Sequence, residues 1–342
     1  MAATASIIGK DRFEAPFRVG PHEVPGRALL APMSGLTDVA MRRIARRFGA
    51  GLVVTEMVAA EAYADGDAAN RLKAEDCGLG LHVVQIAGRD PAAMARGARV
   101  ARDAGAAVID LNMGCPAKKV INGYAGSHLM RDLPLAAAII RATVAAVDVP
   151  VTLKMRLGWD SLSLNAAELG RVAEAEGVAM LCVHGRTRSQ FYDGVADWGA
   201  IRAVREAVSI PLVANGDCSG LDDAREMLRA SGADAVMIGR AAVGRPWLVG
   251  AAARGLAGGP AREPSAEARR EAACEHYDEL LRLFGREQGV RHARKHLAAY
   301  AQWSGSPRAV ELRADLVKAD DPREVMRLLK ETFDPSFQAE AA

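Results

Sequence analysis

Short aliphatic and β-branched runs recur along the chain, separated by longer Ala-, Leu- and Arg-rich segments of helical period. Eight runs stand out: Ala28 to Ala31, Leu52 to Thr55, Leu81 to Gln85, Val108 to Leu111, Val151 to Lys154, Met180 to Val183, Pro211 to Ala214 and Ala235 to Ile238. Their near-continuous apolar character suits strands of a parallel sheet covered on both faces. Between them, Pro91 to Ala104, Leu133 to Val147, Leu164 to Glu176 and Leu221 to Ala230 place apolar residues at helical spacing. The count predicts an α/β chain closed into a (β/α)8 TIM barrel. A doubly wound open sheet is the alternative, disfavoured by the eightfold count.

The pattern changes after Trp247. Gly255 to Ala266 is dense in Gly, Pro and Ala and reads as a linker, and uninterrupted helical sequence follows to about Phe333. The predicted organisation is a segment 1–26 capping the barrel, a catalytic barrel over 27–254, a linker over 255–266 and an all-helical domain over 267–342. With 342 residues, half of them hydrophobic, the chain can bury a full core. The first residues contain no sustained apolar stretch, and no run approaches eighteen apolar residues, which reads as a soluble cytoplasmic protein without a membrane partner.

A net charge of +2 announces neither nucleic acid nor membrane, so any such partner must be met by a local patch. One exists between Arg282 and His296, where Arg282, Arg286, Arg291, Arg294 and Lys295 stand against Glu287 alone. Arg291, Arg294 and Lys295 fall at helical spacing and can share one side.

The five cysteines (Cys77, Cys115, Cys182, Cys218, Cys274) are odd in number, widely spaced and without a C-x-x-C pair, which argues against a disulfide framework or a metal site. Cys115 differs from the others. It lies in Asn112-Met113-Gly114-Cys115-Pro116, just after a strand run, on a turn where a thiol can face a ligand. An ordinary thiol, with a pKa of about 8.5, carries a proton it can donate at neutral pH.

Barrel enzymes place their chemistry at the C-terminal ends of the strands. The residues at or just after the eight runs are Met33, Glu56, Gln85, Asn112, Lys154, His184, Asn215 and Gly239-Arg240. This ring of hydrogen-bonding types reads as a ligand site. The last two exits, Asn215-Gly216-Asp217 and Gly239-Arg240, occupy the place where barrels commonly bind phosphate, with glycines for close backbone approach and Arg240 for charge. Lys154 and Gln85 suit the edge of a flat heterocycle such as a flavin.

The segments APMSGLTD (Ala31 to Asp38), NMGCPAKKV (Asn112 to Val120), LKMRLGWD (Leu153 to Asp160), VHGRTRSQFYDGVADW (Val183 to Trp198), NGD and GRAAVGRPW (Gly239 to Trp247) appear in this order. Together they resemble the tRNA-dihydrouridine synthases, closest to the bacterial B-type subgroup, over roughly Phe17 to Tyr300. The resemblance implies a barrel that binds flavin mononucleotide (FMN), followed by a helical tRNA-binding domain, with NADPH or NADH as reductant. It implies that Ala31, Pro32 and Met33 line the flavin ring, that Gln85, Lys154 and His184 contact its edge and ribityl chain, and that Asn215, Gly216, Asp217, Gly239 and Arg240 hold its phosphate. Cys115 would be the catalytic acid that gives a proton to C5 of uridine. Asn112, Arg186 and Arg188 would face the base or the tRNA, Arg291, Arg294 and Lys295 would grip its phosphates, and the loop Gly114 to Ser127 would be a mobile lid. The subgroup favours the D-loop uridine at tRNA position 17, and a monomer.

Three positions depart from the family pattern. His128 stands where a small residue is usual, Ala241 where glycine is common and Ala299 where tryptophan is frequent. Two rival functions remain: a small-molecule flavin oxidoreductase of the dihydroorotate or dihydropyrimidine type, which needs no basic helical appendage, and a non-catalytic RNA-binding protein, which needs neither Cys115 nor Lys154.

Overall fold

The computed structural model describes residues 16–334. Expectations about residues 1–15 and 335–342, including the start of the capping segment, lie outside the described residues. The chain opens with an antiparallel hairpin of β1 (Phe17–Val19) and β2 (His22–Val24). Nine parallel strands follow: β3 (Ala28–Leu30), β4 (Leu52–Val53), β5 (Val58–Ala59), β6 (Val83–Ala87), β7 (Val108–Met113), β8 (Val151–Arg156), β9 (Met180–His184), β10 (Leu212–Asn215) and β11 (Ala235–Ile238).

Their order is β4-β3-β11-β10-β9-β8-β7-β6-β5. The two end strands belong to one stretch of chain, Leu52 to Ala59, so the sheet curls round until it meets itself. In the gap between them the Thr55 amide donates to the Val83 carbonyl at 3.0 Å, and the Thr55 hydroxyl accepts from the Gln85 amide at 3.0 Å. The expected barrel is therefore present, and its second strand is split in two, a break that the continuous apolar run did not reveal.

Strand side chains alternate between two cores. Outward residues such as Ile86, Ile109, Leu153, Val183, Ala214 and Val236 pack under the helices. Inward residues near the strand starts, among them Leu29, Val83, Val108, Met180, Val213 and Ala235, form a second apolar cluster that includes Phe17, Val19 and Val24 of the hairpin. The hairpin thus plugs the barrel floor. Higher on the same inward faces the side chains become polar, so apolar packing closes the bottom and leaves the top for chemistry.

Several strands run further than expected. β6 begins at Val83 and ends at Ala87, β7 reaches Met113 and β8 reaches Arg156, so Gln85, Asn112 and Lys154 lie within strands. A polar side chain pointing into a cavity does not disturb a ladder made by backbone groups, which is why polarity marked the strand end too early.

The C-terminal region is interrupted, contrary to the expectation of continuous helix. Helix Ala266–Gln302 is broken at Gly285, whose φ of 72° is left-handed, and helices Ala309–Lys318 and Pro322–Thr332 follow. Gly305, with φ 78°, turns the chain after the first, and Asp321 caps the last by accepting from the Arg323 amide. This region shares a core with the barrel around the fully buried Trp247, which stacks on Tyr300 (centroids 6.2 Å apart) and meets Phe48 and Phe333 edge-on. Arg43 and Arg47 of helix Val39–Arg47 pair with Glu279 (2.5 Å) and Glu275 (2.6 Å) across the junction. Ala299 abuts Gly244, so that departure from the family pattern sits where the two regions meet. No helix of the described residues is long and apolar enough to cross a membrane.

Helix Trp247–Leu256 can approach the chain at Phe48 so closely only because residue 250 is glycine: a Cβ there would overlap the Phe48 carbonyl oxygen. Gly250→Ala should therefore destabilise the fold by about 1–3 kcal/mol, the usual range for forced overpacking, read as a lower urea midpoint at unchanged slope. An unchanged midpoint would show that the two segments do not touch.

Candidate active site

A cavity of about 720 Å³ opens at the C-terminal end of the barrel, within the size range of cofactor sites. All eleven residues expected at a cofactor line it: Ala31, Pro32, Met33, Gln85, Lys154, His184, Asn215, Gly216, Asp217, Gly239 and Arg240. Asn112 and Cys115 line it too. Of the eight strand exits only Glu56 is missing, because its carboxylate turns away to accept the Gly35 amide at 2.5 Å.

The parallel register explains this convergence. Asn112 pairs with Lys154, Arg156 with His184, and His184 with Asn215, so each inward position has its neighbour at the same height. A chain of side-chain hydrogen bonds then crosses three strands. Thr152 Oγ1 and Gln85 Nε2 donate to the fully buried Asp110 carboxylate at 2.6 and 2.7 Å. Asn112 Nδ2 donates to Gln85 Oε1 at 2.8 Å, and Asn112 Oδ1 accepts the amides of Gly114 (3.2 Å) and Cys115 (2.9 Å). The turn is held from its other side by Ser127, whose amide and hydroxyl both donate to the Cys115 carbonyl. Gln85 and Asn112 are thus engaged in holding Cys115. The Cys115 thiol faces the cavity, and burial pushes its pKa up against the opposing influence of the Ala117 amide, Arg156 and Lys154.

The neighbouring wall is cationic. Lys154 Nζ donates to Asn215 Oδ1 at 2.8 Å, while Asn215 Nδ2 is tied to the Met237 carbonyl at 2.8 Å. His184 is held neutral, far below its ordinary value, by burial and then by Lys154, Arg156, Arg186 and Arg240. Gly216 adopts φ 120°, and a Cβ there would lie 2.7 Å from Ala196 Cβ and 2.8 Å from the His184 ring. A Cβ at Gly239 would meet only ordinary contacts near 3.7 Å, so glycine there leaves open space.

Two expectations need correction. Arg186 does not reach the cavity: it is 1% exposed, and its guanidinium donates to the carbonyls of Asp193 and Gly194 and bidentately to Asp217. Asp217 lines the cavity, yet its carboxylate is occupied by Arg186, the Ala196 amide and Arg240. Burial alone would raise its pKa, but Arg186 and these other partners hold it lowered and therefore charged. The Asp217 carboxylate is thus engaged within the protein, with Arg240 as one of its partners.

The remaining basic residues stand outside the cavity. Arg188 packs at its rim over the Trp159 and Phe191 rings (4.6 and 4.8 Å). In the helical region Arg291 is exposed, Arg294 pairs with Asp320 at 2.6 Å, and Lys295 is exposed. Arg282 and Arg286 also face carboxylates, Glu279 and Asp321, which lowers the local charge the linear count suggested. Lys295 reaches the barrel mouth: a Cβ at Gly35 would lie 3.5 Å from its ammonium. Cavity-lining residues not singled out from the sequence include Met57, Arg156, Phe191 and Tyr192. Arg156 had a signal, since it lies two residues beyond Lys154 on the same strand face; Tyr192 had none.

A second polar cluster was not foreseen. Asp38, His276 and His296 are buried at the junction, with ligand-type atoms all within 4.8 Å of one another. The Asp38 carboxylate caps helix Val39–Arg47 and faces Nε2 of His276 (3.2 Å) and of His296 (3.4 Å), and Tyr300 Oη meets His276 Nδ1 at 3.0 Å. The hydrogen bonds among Asp38, His276 and Tyr300 tie barrel to helices, while His296 Nδ1 is buried without a partner.

A barrel with a cationic, glycine-lined cavity at this face has the architecture of a cofactor-dependent barrel enzyme. The chain belongs to the dihydrouridine synthase family, whose profile matches residues 29–338. A protein of Rhizobium leguminosarum bv. phaseoli named probable tRNA-dihydrouridine synthase is 52% identical over 311 residues, 91% of this chain and 96% of that one. One of Xanthomonas campestris pv. campestris named tRNA-dihydrouridine synthase B is 44% identical over 319 residues, 93% of this chain and 96% of that one. Among solved structures, histamine dehydrogenase from Rhizobium sp. 4-9 matches with a TM-score of 0.54 at 16% identity, covering 69% of this chain and 47% of its own. The amine oxidase for 6-hydroxypseudooxynicotine from Pseudomonas geniculata N1 matches at 0.50 and 16%, covering 72% and 50%. These two likenesses concern the fold alone, and this chain spans about half of each.

The junction cluster predicts acid sensitivity. Burial would raise the Asp38 pKa, but the two imidazoles hold it well below the usual range; burial and His276 hold His296 below its ordinary value. Both groups take up protons more readily in the unfolded chain, so their contribution is complete near neutrality. It is lost as pH falls, first below about 6.5 and then through the carboxylate range. The urea midpoint should therefore drop between pH 7 and pH 5, and drop less in His296→Gln. Equal drops in both proteins would remove His296 from this role.

Proposed function

We propose that this protein is an FMN-dependent tRNA-dihydrouridine synthase, driven by NADPH, that reduces the C5–C6 bond of a D-loop uridine, with position 17 favoured. The observation that carries this reading is that the Cys115 turn and a cationic, glycine-lined wall line one cavity.

The residues present fit the cofactor. Gly216 and Gly239 keep the ends of β10 and β11 free of side chains, with Arg240 beside them for a phosphate, and Lys154 supplies a cation where the ring's electron-rich edge would lie. Neutral His184 adds a hydrogen-bonding group without further charge. When bound and reduced, FMN supplies the hydride to C6 of the base. The chain's own residues do the rest. Cys115 holds the proton for C5, and its raised pKa keeps it there at neutral pH. Lys154 and Arg156 counter the negative charge that develops toward O4. Asp110, Gln85 and Asn112 fix the thiol's position from below. A uridine stacked in folded tRNA cannot enter such a cavity, so the base must be extruded, and Lys295 stands at the mouth to receive the backbone.

If this assignment of the cavity is right, the purified protein contains FMN, and Lys154→Ala or Arg240→Ala weakens its binding about ten- to a hundred-fold, measured by fluorescence titration of the apoprotein. Full flavin affinity in both variants would mean the cofactor sits elsewhere.

Cys115→Ala should keep its flavin and be reduced by NADPH at the wild-type rate, yet lose roughly 10²- to 10⁴-fold in tRNA turnover. In the wild type, single-turnover reduction of tRNA should stay level through the ordinary thiol range near pH 8.5 and fall only above it, because burial raises the Cys115 pKa and activity is lost as the proton leaves. Wild-type turnover in the variant would refute the role. Mapping dihydrouridines in tRNA from a strain lacking the protein identifies the position reduced and separates this function from a small-molecule oxidoreductase.

A further inference from the structure

We propose that a strip of three contiguous rings flanked by guanidinium groups, running from the cavity rim through Arg188, Trp159, His128 and Tyr124 to Arg89, is a stacking ledge for the unpaired tRNA nucleotides next to the extruded uridine. The inference rests on the tRNA reading above and adds where the flanking strand lies.

The strip is continuous. Phe191 lines the cavity, and the Arg188 guanidinium lies over both Phe191 (4.8 Å) and Trp159 (4.6 Å). Trp159 meets His128 edge-on at 5.7 Å, His128 meets Tyr124 edge-on at 4.9 Å, and Arg89 lies 5.4 Å over Tyr124. Trp159 also carries the Arg131 guanidinium at 4.8 Å, so it is a pedestal for two cations. The open ring is Tyr124. It is 52% exposed and holds φ 57°, a left-handed conformation unusual for a residue other than glycine, Asn or Asp.

Three features select the occupant. Arg89, Arg131 and Arg188 lie over rings, and among the described residues none of them is in an ion pair with a carboxylate, unlike Arg282, Arg286 and Arg294 of the helical region. Contiguous rings flanked by unpaired guanidinium groups match a single strand of nucleic acid, which offers bases to the rings and phosphates to the cations. Second, the strip begins at the cavity that would take the extruded base. Third, it is joined to the acid: Ser127, next to His128, holds the Cys115 carbonyl through its amide (3.1 Å) and its hydroxyl (2.9 Å). A nucleotide resting on Tyr124 therefore bears on the segment that positions the thiol.

The test uses the flavin-loaded enzyme, an unmodified full-length tRNA transcript and the variants Tyr124→Ala, Tyr124→Phe and Arg89→Ala. Tyr124→Ala should weaken tRNA binding roughly five- to 150-fold, the range for loss of one base stack, while Tyr124→Phe, which keeps the ring, stays near wild type. Arg89→Ala should flatten the log–log salt dependence of binding by about 0.7. Flavin content, unfolding midpoint and NADPH oxidation by a small acceptor should not move in any variant. Unchanged tRNA affinity in Tyr124→Ala overturns the ledge, as does an equal loss in Tyr124→Phe, which would indicate a hydroxyl contact. If the wild type fails to reduce tRNA at all, the proposed function falls instead. The ledge is then judged on oligouridylate binding, where Tyr124→Ala must again bind more weakly than Tyr124→Phe.

Discussion

The thiol at the top of this barrel depends on a carboxylate buried away from solvent. Asp110 sits where the apolar lower interior gives way to the polar upper one, and burying it uncompensated would be prohibitive. Thr152 and Gln85 compensate it, and because each is used by Asp110, each is fixed. Gln85 in turn fixes Asn112, and Asn112 fixes the turn of Cys115. A single buried carboxylate is thus converted, bond by bond, into the position of a thiol five residues further along the chain, beyond the end of β7. Burial raises the pKa of Asp110 as well as that of Cys115, so the same desolvation that makes the network demanding keeps the acid protonated.

The neighbouring wall solves a different problem, that of gathering positive charge without self-repulsion. Lys154, Arg156 and Arg240 surround one cavity, and the imidazole among them stays neutral. Asp217 relieves the crowding by pairing with Arg186 and Arg240, and the buried Arg186 braces the loop through backbone carbonyls. Burial pushes the Arg156 guanidinium down to about 10, against the opposing influence of Tyr192 and Cys115. Its donors go to the Gly114, Thr187 and Phe191 carbonyls, which links the thiol's turn to the rim from which the stacking strip departs.

The helical region is held against the barrel by an aromatic core, a buried polar cluster and the ion pairs Arg43–Glu279 and Arg47–Glu275. Trp247 offers a shared aromatic core, which sets how close the two parts come, while Asp38 offers a polar contact whose two imidazole partners set the angle. Together they bring Lys295 to the barrel mouth rather than leaving it on a remote clamp.

The strand runs, the inward placement of Gln85, Asn112, Lys154, His184 and Asn215, and the exposed turn at Cys115 were legible in the sequence, because strand period, apolar continuity and turn chemistry are local properties. Glycines at the ends of β10 and β11 were legible for the same reason. What neighbours in sequence cannot state is what a polar side chain bonds to. Arg186 and Arg188 stand two residues apart in one motif, yet one is buried on Asp217 and the other is half-buried over Trp159. Asp217 read as part of a phosphate site and proved to be the partner of two arginines; His276 and His296 gave no signal until Asp38, more than two hundred residues earlier, was packed against them. A guanidinium or a carboxylate has the same chemistry whether it awaits a ligand or is satisfied within the protein, and only the long-range contacts of the folded chain decide which.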